Sequence, residues 1–533
     1  MYSECIPFTA IPHTSTLLRD FLYHFDRVQG FYGDAPPQSA EWALKHASIP
    51  YDPTRRTAVA DVLERQNRRF GAGEQTLGNI GRFRRGSLAV VTGQQTVLFG
   101  GPALSFYKAL TAIKVAEDFT RTGVDCVPLF WLASEDHDLV EVNQFALRSA
   151  TGEVPLSAEV EGEAGAPVGH LRFTEQINEL LAAVATEFGD NESIEALRSS
   201  YAPGETFGSA SARLFLKLLA PYGLIVVDPL DEQLHALAAP VYSAVVERSA
   251  ELNRLVQHRG KELEAGGYHQ QVKVTNSTSF LFSLQNGVRT AIQRNGTGFV
   301  VDNEKLGAAE LAERVRQQPQ HFSANALLRT SVQDFLFPTI VYIGGPSEVA
   351  YLAQSSALQS ELLGRVTPSM HRFSATLVDQ RSKKLLDRYH LSLPDFFHGP
   401  EHVRELLAAR TLPQELEETF ARAQSTLAAN LAELKRELQR LDPTLVDAAS
   451  RSESKMHYQL ERLQARAARA KLRRSEDLRR HADQLTAALY ANKELQERSL
   501  PGVQMLAQHD TELLDQLLGC IRLECRDHQV VFI

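Results

Sequence analysis

Cysteine is scarce in this sequence. Four residues among 533, Cys5, Cys126, Cys520 and Cys525, form no CxxC pair and are too few to staple so long a chain, which points to a reducing, cytoplasmic setting. No apolar run approaches the roughly 20 residues that span a bilayer. The opening MYSECIPFTAIPHTS lacks the basic and apolar regions of a secretory leader, so no membrane is expected as partner. Positive charge is the minority sign: 56 Lys and Arg stand against 65 Asp and Glu, a net charge of −9. That argues against a surface built to neutralise phosphate backbones, and no nucleic acid is expected either. HExxH is missing, so no metal is expected. Gly71 and Gly73 give a GxG, but Thr76 and the lack of a preceding strand make it a plain loop.

What is present is an ordinary globular composition, 43% hydrophobic and 23% charged, enough for a large core and more than one domain. The most informative stretch runs from Ser87 to Asn143. SLAVVTG (87–93) reads as a buried strand. Pro102 opens a helix in which Phe106, Leu110 and Ile113 share one face, Gly123 closes it, and CVPLFWLA (126–133) is a second, nearly continuous apolar strand. This is one parallel βαβ unit. YGLIVVDP (222–229) and PTIVYIGGP (338–346) add parallel strands, giving an α/β fold with a parallel-sheet core over residues 1–395. Residues 1–86 read as an elaboration on that sheet, ending in Arg82, Arg84 and Arg85. A helical insertion is expected over about 151–203. An antiparallel ribbon is expected over 268–302, turning at Asn286-Gly287 and Asn295-Gly296.

From 396 to 533 the pattern is helical. Phe420, Leu427, Leu434 and Leu441 repeat every seven residues beside Leu431, Leu438 and Leu445, and a second seam runs Met456, Leu460, Leu463, Ala467, Ala470. Two long antiparallel helices follow. The second, if unbroken to Tyr490, extends on the order of 65 Å at 1.5 Å per residue, more than a core domain covers. The basic stretch 461–480 reads as a solvated face. The closing HQVVFI is expected to return as an edge strand.

Three strand ends carry polar residues, where open α/β sheets bind ligands. Past the second strand stand Glu135, Asp136, His137 and Asp138, crowded enough to split into acid and base roles; the competing reading is a cap on the next helix, with Glu141 three residues beyond Asp138. Past the first stand Gln94 and Gln95, then Gly100 and Gly101, whose helix offers its N-terminal amides to an anion. The spacing is not that of a P-loop. Lys108, nearly two turns into that helix, reads as a surface lysine, though it stays among the candidate binding residues with Asn143. Tyr342, Gly344, Gly345 and Glu348 repeat the arrangement on a third strand, Glu348 reading equally as a first-turn dipole residue.

TGQQTVLFGGPALSFYK, FWLASEDHDLVEVN, the Tyr222–Asp228 strand, GYHQQV (267–272) and PTIVYIGGPSEVAY (338–351), with a long helical hairpin and a VVFI terminus, together resemble the bacillithiol biosynthesis cysteine-adding enzymes. The resemblance implies a Rossmann-like core similar to class I aminoacyl-tRNA synthetases, with inserted segments, and a C-terminal coiled coil that makes a homodimer. It implies a cytoplasmic ligase that joins the carboxylate of L-cysteine to the amine of glucosaminyl-malate, with ATP or ADP as nucleotide. The synthetase tetrapeptide HIGH is missing, Gln94–Pro102 occupying its place, and Arg381-Ser382-Lys383-Lys384 is a faint echo of KMSKS. Amide formation needs a deprotonated amine and donors for the developing oxyanion. His137 or Asp136 is expected to accept the amine proton, and Gln94, Gln95 and the loop amides to orient substrate oxygens. Two further readings stay open: a metal-assisted hydrolase built on Glu135–Asp138, and a nucleotide-binding scaffold without turnover.

Overall fold

The computed structural model describes residues 2–149, 152–285 and 287–533. In chain order, β1 (Tyr2–Ile6), α1 (Pro53–Arg69) and α2 (Glu74–Arg85) precede the βαβ unit of β2 (Leu88–Gln94), α3 (Ala103–Arg121) and β3 (Cys126–Leu132). β4 (Ile225–Val227) comes next. An antiparallel block follows, β5 (Thr278–Gln285), β6 (Val288–Asn295), β7 (Gly298–Val301), β8 (Glu304–Gly307) and β9 (Phe322–Ala324). The chain then returns through α4 (Ala326–Leu336), β10 (Thr339–Gly344), α5 (Pro346–Leu363), β11 (Ser369–His371) and β12 (Ala375–Val378). The long helices α6 (Gln414–Leu441), α7 (Leu445–Arg474) and α8 (Glu476–Leu489) come last, with β13 (His528–Phe532).

β2, β3, β4, β10 and β11 form one parallel sheet in the order β11-β10-β2-β3-β4. Strand order reverses between β2 and β10, the topological switch point of a doubly wound sheet. Both faces are covered, as the unbroken apolar strands require. Leu129 and Trp131 pack with Val59 and Leu63 of α1, whereas Phe130 and Leu132 pack with Phe106 and Leu110 of α3. Phe106, Leu110 and Ile113 are all buried, as the helical spacing predicts.

The structure corrects several expectations. The 151–203 segment is only partly helical. Its start, with Thr151, lies outside the described residues. Gly152–Ser157 then pairs with Gln144–Ser149, Val160–Glu161 pairs with Arg172–Phe173, and helices occupy Gln176–Phe188 and Glu192–Ser200. The ribbon is a five-stranded antiparallel sheet, β8-β7-β6-β5-β9, reaching beyond residue 302 to Ala324. Asn286 lies outside the described residues. Asn295 is not a turn residue, for it pairs with Gly298 and leaves Gly296-Thr297 as the loop. The tight turn between β7 and β8 falls at Asp302-Asn303, both at positive φ (47° and 70°), as a type I′ turn requires.

The second long helix breaks. α7 ends at Arg474, and Ser475 caps a separate α8 by accepting from the Leu478 amide. The hairpin therefore spans about 45 Å rather than 65 Å. Along its seam Phe420 and Leu431 are buried, but Leu434, Leu441, Met456 and Leu463 are 49%, 78%, 45% and 54% exposed. β13 is no edge strand, since it lies between β1 (antiparallel) and β12 (parallel). Its buried run His528–Val531 fits a central position. No helix of the described residues is long and apolar enough to cross a membrane.

Candidate active site

The C-terminal ends of β2, β3 and β10 open into a cavity of about 1010 Å³, roofed by β5 and β6. Successive side chains of an extended chain point to opposite sides, so Gln94 and Gln95 at the end of β2 diverge. Gln94 turns to α3, where its Oε1 accepts from Lys108 Nζ at 2.9 Å. Gln95 turns to the loop after β3, where its Nε2 donates to Asp136 Oδ2 at 3.1 Å and Glu141 Oε2 at 2.8 Å. The amide-rich and acidic turns thus share one crevice.

Lys108 is not a surface lysine. Its Nζ is buried, donates to the Gly93 carbonyl at 2.7 Å and pairs with Glu348 across the switch point. Glu348 also accepts from the Gly345 amide at 2.7 Å and the Tyr342 hydroxyl at 2.6 Å. Burial raises the Glu348 carboxyl, but the Lys108 ammonium and these donors outweigh it and hold the group below its ordinary value. Burial lowers the Lys108 ammonium, against the pull of Glu348. Glu348 is the first-turn residue that the sequence allowed, and it also reaches the cavity wall.

The acidic loop divides by burial. Glu135 is 7% exposed and faces the cavity, and no hydrogen bond reaches its carboxyl among the described residues. His235 Nε2 stands 3.7 Å from its Oε1. Burial pushes the Glu135 carboxyl up to about 8, while nearby Arg289 pulls it down less strongly. Burial lowers His235 to about 4, so that ring is neutral at pH 7. Asp136 has both oxygens engaged, Oδ1 by the His137 amide at 2.8 Å and Oδ2 by Gln95. His137 Nδ1 lies 3.2 Å from Arg289 NH1. A guanidinium only donates, so Nδ1 is the acceptor and the ring proton sits on Nε2. Asp138 is exposed outside the cavity, at the N-cap of Leu139–Val142 but without a side-chain capping bond.

Six of the expected residues do not line the cavity: Asp138, Gly100, Gly101, Asn143, Tyr342 and Gly344. Tyr342 supports Glu348 from behind the wall. Gly100 and Gly101 instead let two segments meet. Gly101 has φ +72°, and a Cβ there would lie 2.9 Å from Val97 Cβ. Its carbonyl accepts from the Gly502 amide at 2.9 Å, and the Ala103 amide donates to the Leu500 carbonyl at 2.8 Å. The α3 N-terminus expected to receive an anion is thus stoppered by residues 500–502. The 381–384 stretch lies on the helix Gln380–Tyr389, away from this cavity.

Four arginines that the motifs did not single out line the cavity: Arg289, Arg329, Arg372 and Arg498. Arg289 lies over the Phe282 ring at 3.8 Å and donates to Ser323 Oγ and the Ala324 carbonyl. Alternation along β6 puts Arg289, Ala291 and Gln293 on one face, a signal present in the sequence. Arg372 is held from behind by Glu497, 2.5 Å from its NH2. Among the described residues, no group of three or more His, Cys, Asp or Glu is placed to hold a metal ion.

Comparison with known proteins bears on the whole chain. The family described as bacillithiol biosynthesis BshC matches with its N-terminal Rossmann-like domain over residues 1–363 and its C-terminal coiled-coil domain over 375–533. A cysteine ligase BshC of Koribacter versatilis is 45% identical over 538 residues, covering 100% of both chains. Proteins of the same name from Solibacter usitatus (35%, 100% of both chains) and Salinibacter ruber (32%, 97% of this chain and 96% of the relative) are also similar. A solved Campylobacter jejuni chain titled arginyl-tRNA synthetase aligns at a TM-score of 0.21 and 11% identity, over 87% of this chain and 98% of that one. That alignment is too slight to carry an argument about the fold.

Proposed function

The chain belongs to the BshC family of bacillithiol biosynthesis, and from that premise we propose that it is a ligase adding L-cysteine to the amine of glucosaminyl-malate in the cavity between β2, β3 and β10. The bond formed is an amide between the cysteine carboxyl carbon and the sugar nitrogen. The amine must lose a proton, and the acid must shed an oxygen with its activating group.

The observation that carries this reading is Glu135, a buried carboxyl open to the cavity with no hydrogen-bond partner among the described residues. A base raised to about 8 is matched to an amine near neutral pH. His137, with Nδ1 occupied by Arg289, is suited to donate through Nε2, and Asp136 is engaged by Gln95. The proton-accepting role therefore falls to Glu135 in preference to His137 or Asp136.

ATP or ADP stays in the proposal as a bound nucleotide, with no part in activating the carboxylate assigned to it. The two helix N-termini where a Rossmann-like fold takes phosphate do not fit it here: residues 500–502 fill one and the Glu348 carboxylate the other. A second copy of the chain is the proposed cover for Leu434, Leu441, Met456 and Leu463, making a homodimer through the coiled coil. The proposed location is the cytoplasm, where Cys5, Cys126, Cys520 and Cys525 stay as thiols.

Incubating the full chain with L-cysteine and glucosaminyl-malate, with and without ATP, and reading products by mass spectrometry tests the proposal. The amide product, made by the wild type and lost in Glu135→Gln, is the expected result. Its absence under every condition overturns the reading.

A further inference from the structure

Gln94 and Gln95 are adjacent in sequence and alike in chemistry, yet their surroundings fix their amides in opposite senses. Lys108 Nζ has three donors and no acceptor, so the atom of Gln94 that meets it at 2.9 Å must be the carbonyl oxygen. The other donors of Nζ go to the Gly93 carbonyl and Glu348. Lys108 is thereby saturated. On Gln95 the partners are Asp136 Oδ2 and Glu141 Oε2, at 3.1 and 2.8 Å. Ionised carboxylates only accept, so the atom that meets them is the amide nitrogen, with both its hydrogens used.

What remains of each side chain faces the cavity that both residues line. Gln94 presents two N–H donors and Gln95 a carbonyl oxygen with two lone pairs. Among the described residues, neither remaining group has a protein partner. Turning either amide over would set donor against donor at Lys108, or acceptor against acceptor at Asp136 and Glu141. The polarity is thus enforced from behind. Beside Gln94 stands the Lys108–Glu348 pair, and beside Gln95 stand Asp136 and Glu141, with Arg289 3.7 Å from Asp136.

We infer that Gln94 and Gln95 divide the cavity into two adjacent subsites of opposite hydrogen-bonding sense, Gln94 receiving the cysteine carboxylate and Gln95 the attacking amine. The assignment rests on the amide-forming reading above and adds to it which substrate lies at which strand end. Both residues line one cavity, so a carboxylate held by Gln94 and an amine held by Gln95 would meet in the space between them. Gln95 and Glu135 together would then hold the amine, one accepting a hydrogen bond and the other the proton.

The test separates the two glutamines. Gln94→Glu keeps an acceptor for Lys108 but turns its cavity face from donor to acceptor. It is expected to raise KM for cysteine about tenfold or more and leave KM for glucosaminyl-malate within about twofold. Gln95→Met keeps the shape but removes the acceptor, and is expected to do the reverse. Equal effects on both substrates, or the opposite pattern, overturn the assignment. Calorimetry with 3-mercaptopropionate, a thiol with a carboxylate and no amine, reads the Gln94 subsite without turnover. Binding to the wild type with at least about tenfold loss in Gln94→Glu supports it. Equal binding to both proteins, or none to the wild type, overturns it. A chain that binds this probe as expected but makes no amide would sink the ligase reading and leave the carboxylate subsite standing. Thermal melts of each variant within a few degrees of wild type show that the fold is intact.

Discussion

Nε2 of Gln95 lies 3.1 Å from Oδ2 of Asp136, joining the turn after β2 to the turn after β3. The contact makes one wall out of two loops and points the Gln95 carbonyl inward. Asp136→Ala leaves Gln95 held by Glu141 alone and Arg289 without the carboxylate 3.7 Å away. Steady-state kinetics are expected to show kcat/KM lower by about one to two orders of magnitude. Melting temperature should move little, because Asp136 is only partly buried.

Glu135 gives a pH signature. Its carboxyl is raised to about 8 in the folded chain, so kcat/KM should climb with pH and level off above about 8. Glu135→Gln should flatten that limb and cost about 10²–10⁴-fold in rate. Stability has the opposite slope. The folded state binds a proton that the unfolded state has lost between the ordinary carboxylate range and about 8, so wild-type stability falls as pH rises through that window. Denaturant titrations at several pH values should show the fall in wild type and its loss in Glu135→Gln.

Lys108→Met leaves the Glu348 carboxylate buried and unpaired. Breaking a buried ion pair from one side costs about 3–5 kcal/mol, readable by chemical denaturation. The double variant with Glu348→Gln removes the stranded charge and should recover part of the loss. A single variant as stable as wild type would contradict the buried placement.

The Arg372–Glu497 pair, each side chain 2% exposed, predicts an acid-sensitive fold. Burial raises the Glu497 carboxyl, but Arg372, with help from His528 and Ser374, brings it down to about 2. A depressed pKa stabilises above the unfolded value and is lost as pH falls toward the folded one. Wild-type stability should therefore drop between about pH 4.5 and 2, and Glu497→Gln should be less stable at neutral pH, with a shallower drop.

Leu434→Asp with Leu463→Asp tests the coiled-coil dimer. Both side chains are about half exposed in the isolated chain, so the pair of changes should leave the fold intact. Sedimentation is expected to show a dimer for wild type and a monomer for the variant; a wild-type monomer at micromolar concentration would remove the dimer.

The parallel sheet was legible because its strands are buried on both faces and read as unbroken apolar runs, and because Phe106, Leu110 and Ile113 carry a helical period beside them. Proximity across distant segments was not. Nothing local in Lys108 announces Glu348 as its partner, since the pairing follows from the crossover that sets β10 beside β2. The stoppering of α3 by residues 500–502 is hidden for the same reason. Arg289 reaches His137 only because the antiparallel block folds over the sheet. The break at Ser475 coincides with a slip in the seam: the series Met456, Leu460, Leu463, Ala467, Ala470 would run on to Arg474 and Asp477, but the buried positions resume at Leu478, Ala482 and Leu485.

β13 sits between β1 and β12, so Tyr2 pairs with Phe532 and Ile6 with His528. β1 must wait for more than five hundred residues before its neighbour emerges, and contacts of such separation close slowly. Until then β1 and β12 each carry a raw edge that any passing strand can pair with. Deleting residues 528–533 would leave those edges open for good, and the visible outcome would be aggregation during refolding.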